Sequence, residues 1–262
     1  MTIYKAYAKV NIFLKITGMR GDYHEILSRF MRVDNLYDEL YFQEKDTNEF
    51  KIIGKFSCES TQNTIYKAYK ALLEYTKSED LEKLMQKNSI VVKKNIPAFA
   101  GLGGGSSDSA TYLKMCNEKL DLNLSDDELA SIGLKVGADV PFFIYGYDSA
   151  NVSGIGEIVE EFKEPLLEFD TYTPEVQIST PKVYKSYREN FYNPINDDEV
   201  KYYTSLKSED ALKTKTPKEL NDLFAPALKE YKELKQYQKD GYFFSGSGSS
   251  FFRTIIRSVK CV

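Results

Sequence analysis

Between Pro97 and Ala110 the chain reads Pro-Ala-Phe-Ala-Gly-Leu-Gly-Gly-Gly-Ser-Ser-Asp-Ser-Ala, which puts four glycines in the five positions from Gly101 to Gly105. Glycine lets a backbone turn sharply and approach a ligand with no side chain in the way. The polar run Ser106-Ser107-Asp108-Ser109 reads as the cap and first turn of a helix from about Ser107 to Leu120, whose N–H groups attract an anion. Pro97, Gly101, Leu102, Gly103, Gly104, Gly105, Ser106 and Ser107 together make a phosphate cradle. It is not a Walker loop, because no Lys follows the glycines, nor a dinucleotide fingerprint, because Ser106 stands where the last glycine of G-x-G-x-x-G belongs. A second chemical pair is Lys9 and Asn11, two residues apart and so on one face of a strand.

Composition excludes several other chemistries. The net charge of −4 and scattered basic residues argue against a nucleic-acid partner. His24 is the sole histidine and the three cysteines, Cys58, Cys116 and Cys261, are far apart, so a zinc site is not expected and reduced thiols in a cytoplasmic protein are. No apolar run reaches the ~20 residues a membrane crossing needs, and the first residues carry no secretory pattern.

The elements that must position these residues follow from periodicity. Ala6, Ala8, Val10, Ile12, Leu14 and Ile16 form the buried face of a first strand, with Thr17–Asp22 as a loop and His24–Met31 as a short helix. Val33–Gln43, Glu49–Ile53 and Ser89–Lys94 read as strands, and Asn63–Lys77 as a helix with a stripe of Ile65, Ala68, Tyr69, Leu72 and Leu73. Ser125 and Glu128 make a capping box opening a helix that ends near Gly137, before an apolar strand from Phe142 to Tyr145. A boundary near Gly146–Gly156 divides the chain into lobes of 1–150 and 151–262. In the second lobe Val176–Ser179 reads as a strand, Thr180-Pro181 as the start of a helix through Glu189, and 193–216 as polar and irregular with room for a short helix. A helix over Ala225–Lys239 follows, then two strands, Tyr242–Phe244 and Phe251–Ile256, flanking Ser245-Gly-Ser-Gly-Ser-Ser250. The mixture implies an α+β architecture.

Three of these segments, in order, resemble the signatures of the GHMP kinases: Ala6-Tyr-Ala-Lys9-Val-Asn11-Ile-Phe-Leu14, the glycine loop, and the Ser245–Ser250 turn. The resemblance spans nearly the whole chain and implies a two-lobed α+β GHMP kinase fold with the active site in the cleft between lobes, using ATP and Mg²⁺. Tyr23-His24 and Gly137-Ala-Asp139-Val-Pro-Phe142-Phe143 resemble the branch that phosphorylates the 2-hydroxyl of a cytidine-diphosphate-linked methylerythritol in isoprenoid precursor synthesis. On that resemblance Asp139 is the general base and Lys9 its partner, keeping the carboxylate ionised and steadying the phosphoryl group. Asn11, Tyr23, His24 and Tyr184 bind the substrate, the Tyr23-His24 pair at the cytosine with Tyr23 offering a π-face and Tyr184 on the other face, so His24 is not the base. Ser106, Ser107 and Thr111 offer hydroxyls to phosphate or metal, with ordinary capping the alternative for the serines, and Asn63 either borders the adenine or caps its helix. Asp108 is a candidate to assist the metal but is not assigned a catalytic role. Two departures stand out: many relatives have Asp-Gly-Tyr-His where Asp22 here meets Tyr23 directly, and the third motif, which often ends Gly-Ala/Pro plus a small residue, ends Gly248-Ser249-Ser250. A homoserine or mevalonate type of GHMP kinase is the alternative enzyme, and a non-catalytic ligand-binding protein of the same fold the alternative class.

Overall fold

The structure is a computed structural model that describes residues 2–255. Ile256 and Cys261 lie outside the described residues. Two long strands begin the chain, β1 (Tyr4–Arg20) and β2 (Tyr23–Glu44). They form a hairpin around Gly21-Asp22, where Gly21 takes a φ of +60°. The expected loop over Thr17–Asp22 is therefore a two-residue turn, and the expected helix over His24–Met31 is strand. Its residues Ile26–Met31 pair antiparallel with Ser149–Gly154, a partner more than a hundred residues away that no local periodicity reveals. The even residues of β1 from Ala6 to Ile16 are buried, as the alternation predicts. From Lys9 to Lys15 the odd residues are buried as well, so Lys9 and Asn11 are not on a solvent face.

Two compact units are built around these strands. The first takes residues up to Ala8, Leu36–Ala98 and Gly103–Tyr147. It contains β3 (Ile52–Ile53), α1 (Thr64–Thr76), α2 (Glu79–Lys87), β4 (Asn88–Lys93), α3 (Gly104–Lys119), α4 (Asp126–Leu134) and α5 (Val140–Tyr145). β4 lies antiparallel to Glu39–Glu44 of β2 and parallel to β3. The helices cover this sheet through Leu72, Tyr112, Leu113, Leu129, Ile132 and Ile144. α1 starts at Asn63, whose side chain accepts from Ile65 N, and α4 at the expected Ser125–Glu128 capping box. The apolar run Phe142–Tyr145, expected as a strand, is helix α5. A short apolar run reads equally as either, and Pro141 at the head of the run suits a first helical turn.

The second unit takes Lys9–Asn35, Phe99–Leu102 and the described residues from Asp148 onward. Here β5 (Ser149–Gly154) lies between β2 and β6 (Ile158–Glu161). β7 (Phe169–Tyr172) is followed by α6 (Thr180–Asn190), α7 (Asp197–Ser205), α8 (Ser208–Thr214), α9 (Pro217–Leu220) and α10 (Phe224–Glu230). A 3₁₀ helix over Lys232–Tyr237 leads to β8 (Phe243–Phe244) and β9 (Phe251–Thr254), and β9 pairs with both β8 and β7. Val176–Ser179 is an extended segment without strand pairing, and the strand expected there is β7 instead. The polar stretch 193–216 resolves into α7, which Asn196 opens with a capping box to Glu199, and α8, while Thr216 opens α9 just beyond it with a box to Glu219.

Candidate active site

In the second unit three distant segments lock together. Lys9 N donates to Leu102 O at 2.9 Å, Asn11 N to Ser245 Oγ at 3.3 Å, and Ser250 N to Ala100 O at 3.1 Å. The two glycine turns touch backbone to backbone: a Cβ on Gly101 would lie 2.3 Å from Ser245 O, and one on Gly248 would lie 2.0 Å from Gly101 N. Only glycine permits that approach. Asn221 holds the second turn from behind, its Nδ2 donating to Phe244 O and Gly246 O at 2.9 Å each. Within this frame Lys9 Nζ donates to Asn11 Oδ1 at 2.6 Å and lies 4.4 Å from the Phe30 ring centroid, a cation–π contact. Asn11 Nδ2 in turn donates to Ser28 Oγ at 2.9 Å. The Lys9 ammonium is thus buried and oriented, which is uncommon for a lysine without a task.

The same unit gathers His24 with Tyr184 and Tyr187, ring centroids 5.0 and 5.8 Å apart. His24 Nε2 is buried and has no hydrogen-bond partner, so the imidazole offers a polar atom that the fold leaves unsatisfied. Burial and the Arg188 charge hold the ring below the usual histidine pKa, which favours the neutral form near pH 7. Tyr23, next to it in sequence, is two-thirds exposed.

In the first unit the helix α3 begins inside the glycine run. Gly103, at φ +74°, is its N-cap, and Ser106 and Ser107 lie in its first turn, so the expected capping by these serines is overturned. The reason is that glycine enters the left-handed region freely and lets the helix start three residues sooner. The consequence favours an anion: Gly103 has no side chain to take up the first N–H groups of the helix. Thr64 Oγ1 donates to Gly105 O at 2.8 Å, bringing the head of α1, with Asn63, beside the run. Asn63 itself caps α1 with its Oδ1. Pro97 is exposed at the entrance to the loop.

Asp139 occupies the N-cap position of α5, yet its side chain makes no capping bond there. It is half-buried, in a turn that passes α3 closely: a methyl on Gly137 would stand 3.7 Å from Ser106 Oγ.

Beneath the glycine run lies a cluster that sequence reasoning missed. Lys94 Nζ pairs with Asp38 and, at 2.7 Å, with Asp108 Oδ2. Asp38 Oδ1 also accepts from Ile96 N at 2.8 Å, fixing the strand end that leads into Pro97. Asp108 Oδ1 is buried without a partner. Burial pushes the Asp108 carboxyl up to about 7, Lys94 opposing and Asp38 adding to the shift. The only advance signal was the Lys93-Lys94 pair before the loop.

Residues 63–147 match the family described as GHMP kinases N terminal domain. The 4-diphosphocytidyl-2-C-methyl-D-erythritol kinase of Sulfurimonas denitrificans is 65% identical over 257 residues, 97% of each chain. The chain belongs to the 4-diphosphocytidyl-2-C-methyl-D-erythritol kinase family, within the GHMP kinases. A crystal structure of 4-(cytidine 5'-diphospho)-2C-methyl-D-erythritol kinase superposes with a TM-score of 0.75 at 28% identity, covering 98% of this chain and 90% of the other. The Methanococcus jannaschii mevalonate kinase superposes at 0.60 with 16% identity, covering 97% and 90%, and shares the fold alone. Among the described residues of this family member, no helix is long and apolar enough to cross a membrane.

Proposed function

We propose that this chain transfers the γ-phosphate of ATP to the 2-hydroxyl of 4-diphosphocytidyl-2-C-methyl-D-erythritol, giving the 2-phosphate and ADP. The observation that carries the reading is the 65% identity, over 97% of both chains, to a kinase of that name. Gly103–Ser107, at the head of α3, binds the ATP phosphates through backbone N–H groups. Asp139 accepts the hydroxyl proton as the new phosphorus–oxygen bond forms, and the leaving oxygen departs with ADP. Lys9, held by Asn11 and Phe30, orients the hydroxyl and stabilises charge on the phosphoryl group. His24 supplies its unpaired Nε2 to the cytosine edge and Tyr184 its face, with Tyr23 at the exposed side. We place this reaction in the cytoplasm.

Mg²⁺ fits the donor set, because it takes oxygen ligands and keeps several waters. The described residues contain no group of three or more His, Cys, Asp or Glu side chains that could hold it alone, so Ser106 or Ser107 would hold it together with nucleotide oxygens. When bound it neutralises charge on the transferring phosphate.

The test is ADP release from ATP and Mg²⁺ with the cytidine-linked alcohol, mevalonate and homoserine in parallel. ADP release with the cytidine compound alone is expected. Release with mevalonate or homoserine instead sinks the assignment.

A further inference from the structure

Phe99 is the residue of the glycine segment for which the fold itself has no use. Its φ is +55°, a conformation that is an outlier for a bulky side chain and costs on the order of 1–3 kcal/mol. The residue is 56% exposed, so no packing in the core offsets that cost. The strain is imposed from the C-terminal side, where Ala100 and Gly101 are clamped to the Ser245–Ser250 turn by Ser250 N–Ala100 O and by the backbone contact at Gly248. The loop therefore holds an aromatic ring out from the protein in a conformation that glycine would adopt freely.

What the ring faces is a cavity of about 470 Å³, lined by Phe99 on one side and by Gln177, Ile178, Ser179, Thr180 and Pro181 on the other. That volume suits part of a small-molecule substrate. The opposite wall is the segment entering α6, and Thr180 Oγ1 shares a hydrogen bond of 2.7 Å with Ser247 Oγ of the third motif. Tyr184, whose ring lies tilted against His24, is about one turn further along the same helix.

We infer that Phe99 is a specificity-determining residue for the acceptor alcohol: its ring is the apolar wall against which the carbon chain of the acceptor rests, beyond the cytosine held at His24 and Tyr184. The inference rests on the acceptor assignment proposed above. A ligand against the ring supplies the burial that the free fold withholds, which accounts for an exposed aromatic kept at a strained φ.

The test is steady-state kinetics of Phe99→Ala and Phe99→Gly beside the unaltered protein, with thermal melting of each. Both variants are expected to raise KM for the cytidine-linked alcohol about tenfold, the scale of a lost apolar contact, while KM for ATP stays within about twofold. Phe99→Gly is expected to melt no lower than the unaltered protein, because glycine accepts the positive φ. An unchanged acceptor KM, a rise in the ATP KM instead, or a lowered melting point for Phe99→Gly with unaltered kinetics overturns the inference. If the unaltered protein does not phosphorylate the cytidine compound, the acceptor assignment fails first, and the inference falls with it.

Discussion

Each unit buries a cluster of charge, and the two are built on opposite principles. In the second unit Arg29, fully buried, donates to Asn151 Oδ1 at 2.8 Å, Glu164 Oε1 at 3.1 Å, Leu206 O at 3.2 Å and Thr204 O at 3.1 Å. Its guanidinium lies 3.3 Å from the Phe162 ring centroid, and Glu164 also accepts from Ser149 Oγ and Ser208 N. Cation and anion are balanced and their hydrogen-bonding capacity is used. In the first unit two carboxylates, Asp38 and Asp108, share the Lys94 ammonium, and Asp108 keeps an unpaired buried oxygen. The balanced cluster staples β2 to β5 and to the ends of α7 and α8. The unbalanced one sits at the root of the glycine run and can exchange a proton near neutral pH. A satisfied buried network specifies structure, whereas an unsatisfied one is a marker of a working site.

The comparison breaks most visibly at Glu164. Glu164→Ala leaves the Arg29 guanidinium buried without its counter-charge, and a loss of about 3–5 kcal/mol in chemical denaturation is expected. Burial already pulls the Arg29 pKa down to about 10 even with Glu164 present, yet at pH 7 the group stays charged and has no escape. Lys94→Met should cost less, about 1–3 kcal/mol, because Asp108 can relieve the remaining repulsion by keeping its proton. That cost should grow as pH rises and shrink in acid; a pH-independent loss would mean the two clusters do not differ as described.

Asp108→Asn should act in the opposite sense. The folded carboxyl titrates near 7, above its ordinary 3.8, so between about pH 4 and pH 7 the unfolded chain gives up the proton first. The shift therefore lowers stability as pH rises through that window and contributes nothing below it. The Asn variant should gain stability relative to the unaltered protein over the same interval, read as the difference between two pH–melting curves. Parallel curves would contradict the shift.

Much of the fold was legible where the signal is local. The α1 stripe, the Ser125 box and the alternation along β1 need only neighbours a few residues apart. The misread elements depend on distant partners: β2 is a strand because β5 and β4 pair with it, and Ser245–Ser250 is more than a hairpin because Gly101 abuts Gly248. Lys9, Asn11 and Gly101–Ser107, which the proposed function uses, stand out by residue type and order, whereas Asn221, Asp38 and Asp108 act through burial, which a polar residue's identity does not announce. Phe99 is the converse case, an apolar residue whose exposure and positive φ, not its type, mark it.

The central claim, that this family member works through Asp139 as the base, is tested most directly by single-turnover phosphoryl transfer with Asp139→Asn. The account predicts a transfer rate about 10²–10⁴-fold lower, with the melting point and the Kd of ATP little changed. A rate within a few-fold of the unaltered protein would contradict it and remove Asp139 from the chemistry.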